Sequence, residues 1–347
     1  MHFSLPRPIG PSAHRPLGFA LSLIALSLTA LVPTVARAQT QDLFVSNQNN
    51  NTISRFAGTG PGTFSTTATT FATGLINPQG LAFDAKGDLF ASTNFNSITE
   101  FASTGAGTLG AATTFATGLI SPYGLAFDAK GDLFVANFSG DSIMEFASTG
   151  AGTFGAATTF ATGVARPVGL AFDAKGDLFA VNDSAASFSI TEFASTGAGT
   201  FGTPTKLTGG LNNPFGLAFD AKGDLFVANS SGNSITEFAS TGAGTFGAAT
   251  TFATGLINPR GLAFDAKGDL FATNYGDGTI TEFASTGAGT FGAVTTFATG
   301  LAGPTFLAFG PPVSAPVPEA STTVSLGLLL ALGLGGLVVA MKRRGRA

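Results

Sequence analysis

The chain has 347 residues, a formal net charge of −4 and 10% charged residues, whereas an average soluble domain is about 25% charged. It contains 35 Phe and 48 Gly but no Cys and no Trp, and its two His, His2 and His14, lie near the N-terminus. This composition excludes a disordered chain, which is poor in aromatic residues and rich in charge. If the N-terminal segment is removed, it also excludes Cys/His zinc sites, haem ligation, Cys nucleophiles and Ser-His-Asp triads.

The N-terminal segment has the three parts of a secretory signal peptide. Arg7 and Arg15 form a basic region, the run from Leu17 to Val32 carries no charge, and Ala36-Arg37-Ala38 fits the cleavage pattern of small residues. We therefore predict a signal peptide over residues 1–38. A retained N-terminal anchor is the alternative, although its 16 apolar residues fall short of the roughly 20 that a membrane span needs.

Residues 39–310 are predicted to form one domain, in which a single unit occurs six times. Four short apolar elements recur in a fixed order, and we name them strands a (GLAF), b (DLFVAN), c (SITEF) and d (FATGL). Four strands per unit and a period near 45 residues predict an all-β, six-bladed β-propeller with four-stranded blades. A parallel β-helix is the competing architecture. The period is marked by an Asp just before the apolar core of each strand b, at Asp42, Asp88, Asp132, Asp177, Asp224 and Asp269.

The order of the strands also predicts how the ring closes. The chain begins the repeats on strand b at Asp42 and ends them on strand a at Phe309, so the N- and C-terminal strands must share one blade. Such sharing removes the free edges of an open sheet. Five Phe positions per unit hold 28 of the 35 Phe, which predicts a ladder of rings packed between blades. An aromatic box for a ligand is the alternative.

The unit resembles the NHL repeat, in which P-x-G-[IV]-A-V-D is followed by G-x-[IL]-[YF]-V-A-[DN]. The resemblance implies a six-bladed propeller and no single function, because such propellers bind protein, RNA or small molecules or act as enzymes. The matching positions of one unit are Pro122, Gly124, Leu125, Ala126, Phe127 and Asp128, then Gly131, Asp132, Leu133, Phe134, Val135, Ala136 and Asn137.

The two faces of the predicted disc differ in how much their loops vary. The a–b turns (DAKGD) and c–d loops (STGAGTFGAA) repeat almost unchanged on one face, whereas the b–c and d–a loops differ from unit to unit on the other. A selective site needs residues that differ, and aromatic rings beside Asn, Asp and Arg suit a sugar or an extended polymer. Variation of these loops without function is the alternative. The candidate ligand-binding residues are Gln79, Phe95, Tyr123, Phe138, Asp183, Phe188, Phe215, Arg260, Tyr275 and Asp277.

No catalytic residue, metal or cofactor is assigned from the sequence. The two Asp residues of each a–b turn are too few for calcium, which takes about six to eight oxygen ligands. The predicted mature propeller holds nine Lys and Arg against nineteen Asp and Glu, a net charge of −10. An acidic disc argues against nucleic acid as a partner, because phosphates attract basic patches.

The C-terminal part continues with a Pro-rich spacer over residues 311–318 and an uncharged apolar span over residues 323–341. An apolar span before a basic cluster predicts a transmembrane helix with its basic end inside. Segment 317–347 resembles the PEP-CTERM sorting signal, with Ala320 where a second Pro is usual. The resemblance implies an exosortase-like membrane protease as a partner, and a permanent membrane anchor is the alternative. The residues that carry it are Val317, Pro318, Glu319, Lys342, Arg343, Arg344 and Arg346.

These features predict a protein exported across the inner membrane, held by its C-terminal helix and then placed at the cell surface or in the extracellular matrix. We expect it to be a non-catalytic binding or scaffold module, not an enzyme, for a glycan, an exopolysaccharide or a surface protein. A purely structural protein of the biofilm matrix is one alternative.

A metal-dependent enzyme is the other alternative, because some propellers that resemble this one are gluconolactonase-type hydrolases or virginiamycin B lyase-type enzymes. Asp183 and Asp277 depart most from the repeat and are the candidate calcium ligands of such an enzyme. The lyase-type enzymes depend on His, and the predicted mature chain has none. This lack favours the non-catalytic interpretation.

Overall fold

The computed structural model describes residues 39–314, apart from positions 106, 151, 198, 243 and 288. The predicted signal peptide at 1–38, the end of the Pro-rich spacer and the sorting signal at 317–347 with its membrane helix lie outside the described residues. Within the described range, no helix is long and apolar enough to span a membrane.

The described chain forms six antiparallel four-stranded sheets, the blades, each ordered a, b, c and d. Each strand a contacts the strands a of both neighbouring blades, so the six sheets form a closed ring with strand a innermost. The predicted all-β, six-bladed propeller is confirmed. A single 3-10 turn, Phe138–Gly140, is the one helical segment in the described part of the chain.

The four strand types have similar bounds in every blade. Strands a are Pro304–Phe309 in blade 1, then Pro78–Phe83, Pro122–Phe127, Pro167–Phe172, Pro214–Phe219 and Pro259–Phe264 in blades 2 to 6. Strands b are Leu43–Asn47, Leu89–Thr93, Leu133–Asn137, Leu178–Asn182, Leu225–Asn229 and Leu270–Asn274. Strands c are Thr52–Phe56, Ser97–Gly105, Ser142–Phe146, Ser189–Phe193, Ser234–Gly242 and Thr279–Gly287. Strands d are Thr69–Thr73, Thr108–Thr117, Thr158–Thr162, Thr205–Leu207, Thr245–Thr254 and Thr290–Ala298.

Small hairpins extend the c–d loops of blades 1, 3 and 4, where strands c and d are short. They pair Gly58–Gly60 with Thr63–Phe64, Ser148–Gly150 with Thr153–Phe154, and Ser195–Gly197 with Thr200–Phe201. The two ends of the described chain also pair, Gln39–Thr40 with Val313–Ser314.

Blade 1 is shared by the two ends of the repeat region. Its strand b, Leu43–Asn47, pairs on one side with strand c and on the other with Pro304–Phe309 from the end of the chain. The predicted sharing of one blade is confirmed. Strand b is fully buried in all six blades, which explains why its sequence is a continuous apolar run instead of an alternating one.

Phenylalanine rings fill the spaces between blades, as the sequence predicts. Phe134 of blade 3 is 1% exposed. It meets Phe160 of its own blade and Phe172 of blade 4 edge-on, with ring centroids 5.0 and 5.2 Å apart. Such aromatic pairs add about 0.5–1.5 kcal/mol beyond the burial of their area. The contact with the strand-a ring of the next blade recurs around Phe44, Phe90, Phe179, Phe226 and Phe271.

Hydroxyl groups on strand b join neighbouring blades near the axis. Ser92 accepts a hydrogen bond from the Gly80 N–H of its own blade at 2.8 Å and donates one to the Tyr123 carbonyl of the next blade at 2.5 Å. Gly80 has no side chain, and a Cβ there would collide with that carbonyl. Ser46 and Thr273 make equivalent bridges. The three remaining blades hold Ala136, Val181 and Ala228 at this position, which have no hydroxyl.

The uniform face is held together by its repeated DAKGD turns. Asp84 Oδ1 accepts hydrogen bonds from the backbone N–H groups of Lys86 and Asp88, and Asp88 Oδ1 accepts one from Ser103 N–H. The Lys side chain of the turn reaches the c–d loop of the next blade, as where Lys267 Nζ donates to the Gly62 carbonyl. The repeated aspartates therefore stabilise the a–b turn and link it to strand c of the same blade.

Candidate functional site

The candidate site lies on the variable face, which is formed by the b–c and d–a loops. Eight side chains from blades 3 to 6 and the loops between them join there through ring contacts, cation–π contacts, hydrogen bonds and one ion pair. We call this set the mouth cluster. Its members are Tyr123, Phe138, Arg166, Asp183, Asn213, Phe215, Arg260 and Tyr275.

Arg260 is the cation at one end of the mouth cluster. Its guanidinium carbon lies 3.4 Å from the ring centroid of Tyr275 and 4.8 Å from that of Phe215. Nη1 donates a hydrogen bond of 2.8 Å to Gln48 Oε1, while the buried Nε has no hydrogen-bond partner among the described residues. Tyr275 is itself held by a hydrogen bond from its hydroxyl to Asn49 Oδ1 at 3.0 Å.

No carboxylate forms an ion pair with Arg260 in the part of the chain that the structure describes. Burial lowers the pKa of Arg260, against the opposing influence of Tyr275 and Tyr123. A desolvated charge without a counter-charge costs free energy. Arg260 is therefore prepared to receive an anion.

Arg166 is the cation at the other end. It lies over the Phe138 ring, 4.5 Å from the centroid, and its Nη2 is 3.8 Å from Asp183 Oδ2. Asp183 Oδ1 accepts a second interaction, a hydrogen bond of 2.6 Å from Asn213 Nδ2. Burial raises the pKa of Asp183, and Arg166 and Asn213 partly oppose that rise. Asp183 therefore takes up a proton more readily than an exposed aspartate does.

The backbone of Arg166 is held in the left-handed region, with φ at +52°. The residue before Pro adopts this conformation in other units as well, where it is usually Asn, as at Asn77, Asn213 and Asn258. Asn tolerates the left-handed region, whereas a long side chain such as Arg seldom adopts it. Strain of this kind persists where the surrounding structure enforces it, and it clusters at functional sites.

Tyr123 connects the two ends of the cluster. Its ring lies 4.7 Å from Phe138 and 5.9 Å from Phe215 by centroid distance. Tyr123 belongs to blade 3 and Phe215 to blade 5, so their contact crosses the axial region. Burial raises the pKa of Tyr123, against the lowering influence of Arg260 and Arg166. The phenol therefore stays protonated and is a proton donor.

Phe306 lies next to the cluster and breaks the repeat. It occupies the position that Gly80 and its equivalents hold in the other five blades, and its ring lies 5.4 Å from that of Phe215. Phe215 and Phe306 belong to blades 5 and 1, which are not neighbours. This contact also crosses the axial region.

Six of the ten residues predicted for the site are brought together in the mouth cluster, namely Tyr123, Phe138, Asp183, Phe215, Arg260 and Tyr275. Arg166 and Asn213 were missed. The sequence does contain a signal for Arg166, because Arg stands before Pro at a position that is Asn in most other units.

The other four predicted residues lie apart from the cluster. Gln79 is fully buried, and its Nε2 donates to Asn77 Oδ1 at 2.7 Å. Phe95 is 66% exposed, and Phe188 is half-buried away from the rings of the cluster. Asp277 Oδ1 accepts hydrogen bonds from the N–H and hydroxyl of Thr279, a local turn.

The residues of this face do not fit a metal ion. Asp183 and Asp277, the candidate calcium ligands, bind different partners, and Asp183 faces a cation. Across residues 39–314 with their gaps, no three His, Cys, Asp or Glu side chains are grouped closely enough to hold a metal. The chemistry of the mouth is that of arginine, tyrosine and one aspartate.

No family model matches the chain, and no curated protein matches it. The resemblance to NHL repeats and to the PEP-CTERM signal therefore stays a prediction.

Solved structures share the fold. A streptogramin B lyase superposes with a TM-score of 0.55 at 17% identity, over 79% of this chain and 87% of that one. A candidate gluconolactonase gives 0.52 at 15% identity, over 70% and 90%. A candidate oxidoreductase of the glucose dehydrogenase type from Thermus thermophilus gives 0.52 at 17% identity, over 66% and 86%.

These structures correct the prediction that the chain is not an enzyme. That prediction was wrong because it took the absence of His and Cys as a sign against catalysis, whereas the structures with the same ring of blades carry the names of a lyase, a gluconolactonase and a dehydrogenase. At 15 to 17% identity, the shared feature is the fold. The chain is a six-bladed β-propeller similar in architecture to these proteins.

Proposed function

We propose that the propeller is an enzyme of the lyase or lactonase type, with the mouth cluster as its active site and a substrate that carries an anionic group. Arg260 is the observation that carries this proposal. It is a half-buried cation fixed by two aromatic rings and Gln48, without a carboxylate partner in the described chain. An anionic group of the substrate would supply the missing counter-charge and use the free donors of the guanidinium.

The cluster offers a complete set of groups for an elimination next to a carboxylate. Arg260 neutralises the carboxylate of the substrate and stabilises the negative charge that develops during proton removal. Asp183 is the candidate general base that takes the proton from the carbon, and Tyr123 is the candidate general acid that protonates the leaving oxygen. Arg260 is joined to Tyr123 through the Phe215 ring, and Asp183 is joined to Tyr123 through Arg166 and the Phe138 ring.

The substrate class follows from the surfaces around these groups. The half-buried rings of Phe138 and Tyr123 offer an apolar surface for a sugar, and Arg260, packed on the buried Phe215, supplies the contact for a carboxylate. An acidic sugar, as in a uronate-containing exopolysaccharide, combines both features. A lactone of a sugar acid is the second candidate, because the similar folds include a candidate gluconolactonase.

The test uses the purified full-length chain with uronate polysaccharides and sugar-acid lactones. Elimination creates a conjugated double bond that is followed by its ultraviolet absorbance, whereas lactone hydrolysis releases acid that is followed by titration at constant pH. We expect one of these signals, unchanged by EDTA and lost in Arg260→Met. Arg55→Met is the matched control, because Arg55 pairs with Asp42 outside the mouth. Absence of both signals across the panel, or activity retained in Arg260→Met, would reject the proposal.

We also propose that the chain is exported and sorted through its two terminal segments. Support comes from the sequence of residues 1–38 and from the order of motif, apolar span and basic cluster in 317–347. Mass spectrometry of the native protein from a membrane fraction and from the medium tests this. A mature N-terminus at Gln39 and a C-terminus near Pro318 are expected, and an intact Arg-rich tail in the membrane would reject processing.

A further inference from the structure

Large apolar side chains that are exposed are rare on the described surface, and three of the five lie on successive loops of the variable face. Ile76 precedes blade 2, Phe95 lies in the b–c loop of blade 2, and Ile120 precedes blade 3. They are 49%, 66% and 51% exposed, respectively. We call these three residues the apolar rim.

Backbone hydrogen bonds hold the three loops of the apolar rim together. Asn94 N–H donates to the Asn77 carbonyl at 3.2 Å, next to Ile76. On the other side of Phe95, the Asn96 carbonyl accepts from Leu119 N–H at 3.3 Å and its Oδ1 accepts from Ser121 N–H at 3.0 Å. The loop that carries Phe95 is therefore fixed between the loops that carry Ile76 and Ile120.

The apolar rim continues into the mouth cluster through the b–c loop of blade 3. Phe138 N–H donates to the Ser121 carbonyl at 3.1 Å, and Ser139 N–H donates to the Ile120 carbonyl at 3.2 Å. The Phe138 ring then packs on Tyr123 and lies under Arg166. The loop that carries Phe138 of the mouth cluster is thus joined directly to the loop that carries Ile120 of the apolar rim.

The loops of the rim carry no charge. Residues 75–77, 92–97 and 119–121 contain Asn, Ser and Thr as their only polar residues. An apolar chain over Ile120, Phe95 and Ile76 would cover hydrophobic area without desolvating an ion, whereas the Phe138 ring is covered by the Arg166 guanidinium. Elsewhere on the variable face, Asp141, Asp183 and Asp277 lie in the b–c loops of blades 3, 4 and 6, where an apolar chain would be less stable.

We propose that the substrate of the mouth cluster is amphipathic, with an acidic head beside Arg260 and an apolar extension that lies over Ile120, Phe95 and Ile76. An acylated or lipid-linked acidic sugar has this chemistry. The inference rests on the proposed function for the position of the head, and it adds the apolar extension and its path. Phe95 and Ile120 are assigned as residues that determine specificity.

The test measures binding of two probes to the full-length protein by isothermal titration calorimetry. Methyl β-D-glucuronide carries the acidic head alone, and decyl β-D-glucuronide adds the apolar extension below its micellar concentration. Each buried methylene contributes about a fourfold gain in affinity. Burial of three or four methylenes therefore predicts that the decyl probe binds roughly 60- to 250-fold more tightly than the methyl probe.

Variants separate the rim from the anion site. Phe95→Ser and Ile120→Ser are expected to reduce the affinity advantage of the decyl probe over the methyl probe at least tenfold. The affinity for the methyl probe should stay unchanged. Ile257→Ser is the matched control, because Ile257 is the residue equivalent to Ile120 in the loop before blade 6 and is 49% exposed. It is expected to change neither affinity.

Each contrary outcome overturns the proposal. Equal affinity for the two probes, with the methyl probe dependent on Arg260, would reject the apolar extension and leave the proposed function intact. Failure of both probes to bind would reject the extension together with the anion site. If Ile257→Ser removed the affinity advantage of the decyl probe, the apolar extension would bind elsewhere on the variable face. Binding to neutral phosphatidylcholine vesicles that is lost in Phe95→Ser would show that the rim takes a lipid surface instead of a substrate.

Discussion

Arg260 lies over the ring of Tyr275, with its guanidinium carbon 3.4 Å from the ring centroid. Arg260 belongs to strand a and Tyr275 to the b–c loop of blade 6, and a hydrogen bond from Tyr275 to Asn49 of blade 1 fixes the ring. The cation is thus positioned before any substrate arrives. Such a preorganised charge stabilises a developing anion without reorganising at the moment of reaction.

Replacement of Arg260 by Met is expected to stabilise the fold and abolish activity together. Removal of a desolvated charge without a counter-charge should raise the free energy of unfolding by about 1 kcal/mol. Loss of the anion contact should lower kcat/KM by about 100-fold or more. Chemical denaturation and steady-state kinetics measure the two effects. An Arg260→Met protein that is less stable and fully active would show that Arg260 is only a packing residue.

Replacement of Asp183 by Asn tests the candidate general base. The change keeps the shape of the side chain and should lower kcat by about 100-fold or more. Asp277→Asn, which alters a local turn on the same face, should leave kcat within twofold of wild type. An equal loss of kcat in both variants would mean that the substitutions disturb the variable face in general.

The pH dependence of the proposed activity gives an independent readout of Asp183. Because burial raises its pKa above the ordinary value of 3.8, kcat/KM should fall as the pH decreases through that raised pKa. The Asp183→Asn variant should lose this acidic limb. If kcat/KM of the variant still decreased at low pH as in the wild type, the decrease would reflect the titration of another group.

The hydroxyl bridges near the axis allow a gain-of-stability test. Ser92→Ala should lower the free energy of unfolding by about 1–3 kcal/mol, because it leaves the Gly80 N–H and the Tyr123 carbonyl without their buried partner. Ala136→Ser places a hydroxyl at the equivalent position of blade 3, between Gly124 and Val168, and should stabilise by about 0.5–1.5 kcal/mol. Denaturant unfolding monitored by tyrosine fluorescence checks both. A destabilised Ala136→Ser would mean that the site has no room for the oxygen.

Four glutamates of strand c should make the fold more stable in mild acid. Burial, and then the charges of neighbouring aspartates, raise the pKa of each above 4.5, whereas a nearby lysine lowers it. A group whose pKa is raised in the folded state stabilises the fold when protonated, and this stabilisation is lost as the pH rises through the folded pKa. The residues are Glu100, Glu145, Glu237 and Glu282.

Thermal unfolding at several pH values measures this effect. The melting temperature should rise as the pH falls from 7 toward the raised pKa values of these glutamates, and replacement of all four glutamates by Gln should raise it at pH 7 and flatten the dependence. A variant with the same pH slope as wild type would assign the dependence to other groups.

The propeller could be predicted because each unit repeats the same order of apolar strands, turn residues and Phe positions. Phe134 has an equivalent at the same position of every unit. A ladder of rings between blades buries all of these Phe side chains in the same way. The shared blade followed from the strand on which the repeats begin, Leu43–Asn47, and the strand on which they end, Pro304–Phe309.

The site was harder to predict because its contacts join residues far apart in sequence. Tyr123 and Phe215 meet across the axis from blades 3 and 5, and nothing in the period of a single unit specifies that contact. Side chains at loop tips are also not oriented by the alternation of a strand, so the sequence did not show which of the predicted side chains, such as Tyr275 and Asp277, contact one another. Composition was a poor guide to catalysis because it counts the absent His and Cys and says nothing about how the remaining polar side chains are arranged.

The shared blade has a consequence for biogenesis. Until Pro304–Phe309 has been synthesised, Leu43–Asn47 is an edge strand without its inner neighbour. Five complete blades can pair their strands during synthesis, but the ring closes only when the last strand of the repeat region, Pro304–Phe309, joins Leu43–Asn47. The protein therefore remains an open chain of blades until its whole repeat array has been synthesised.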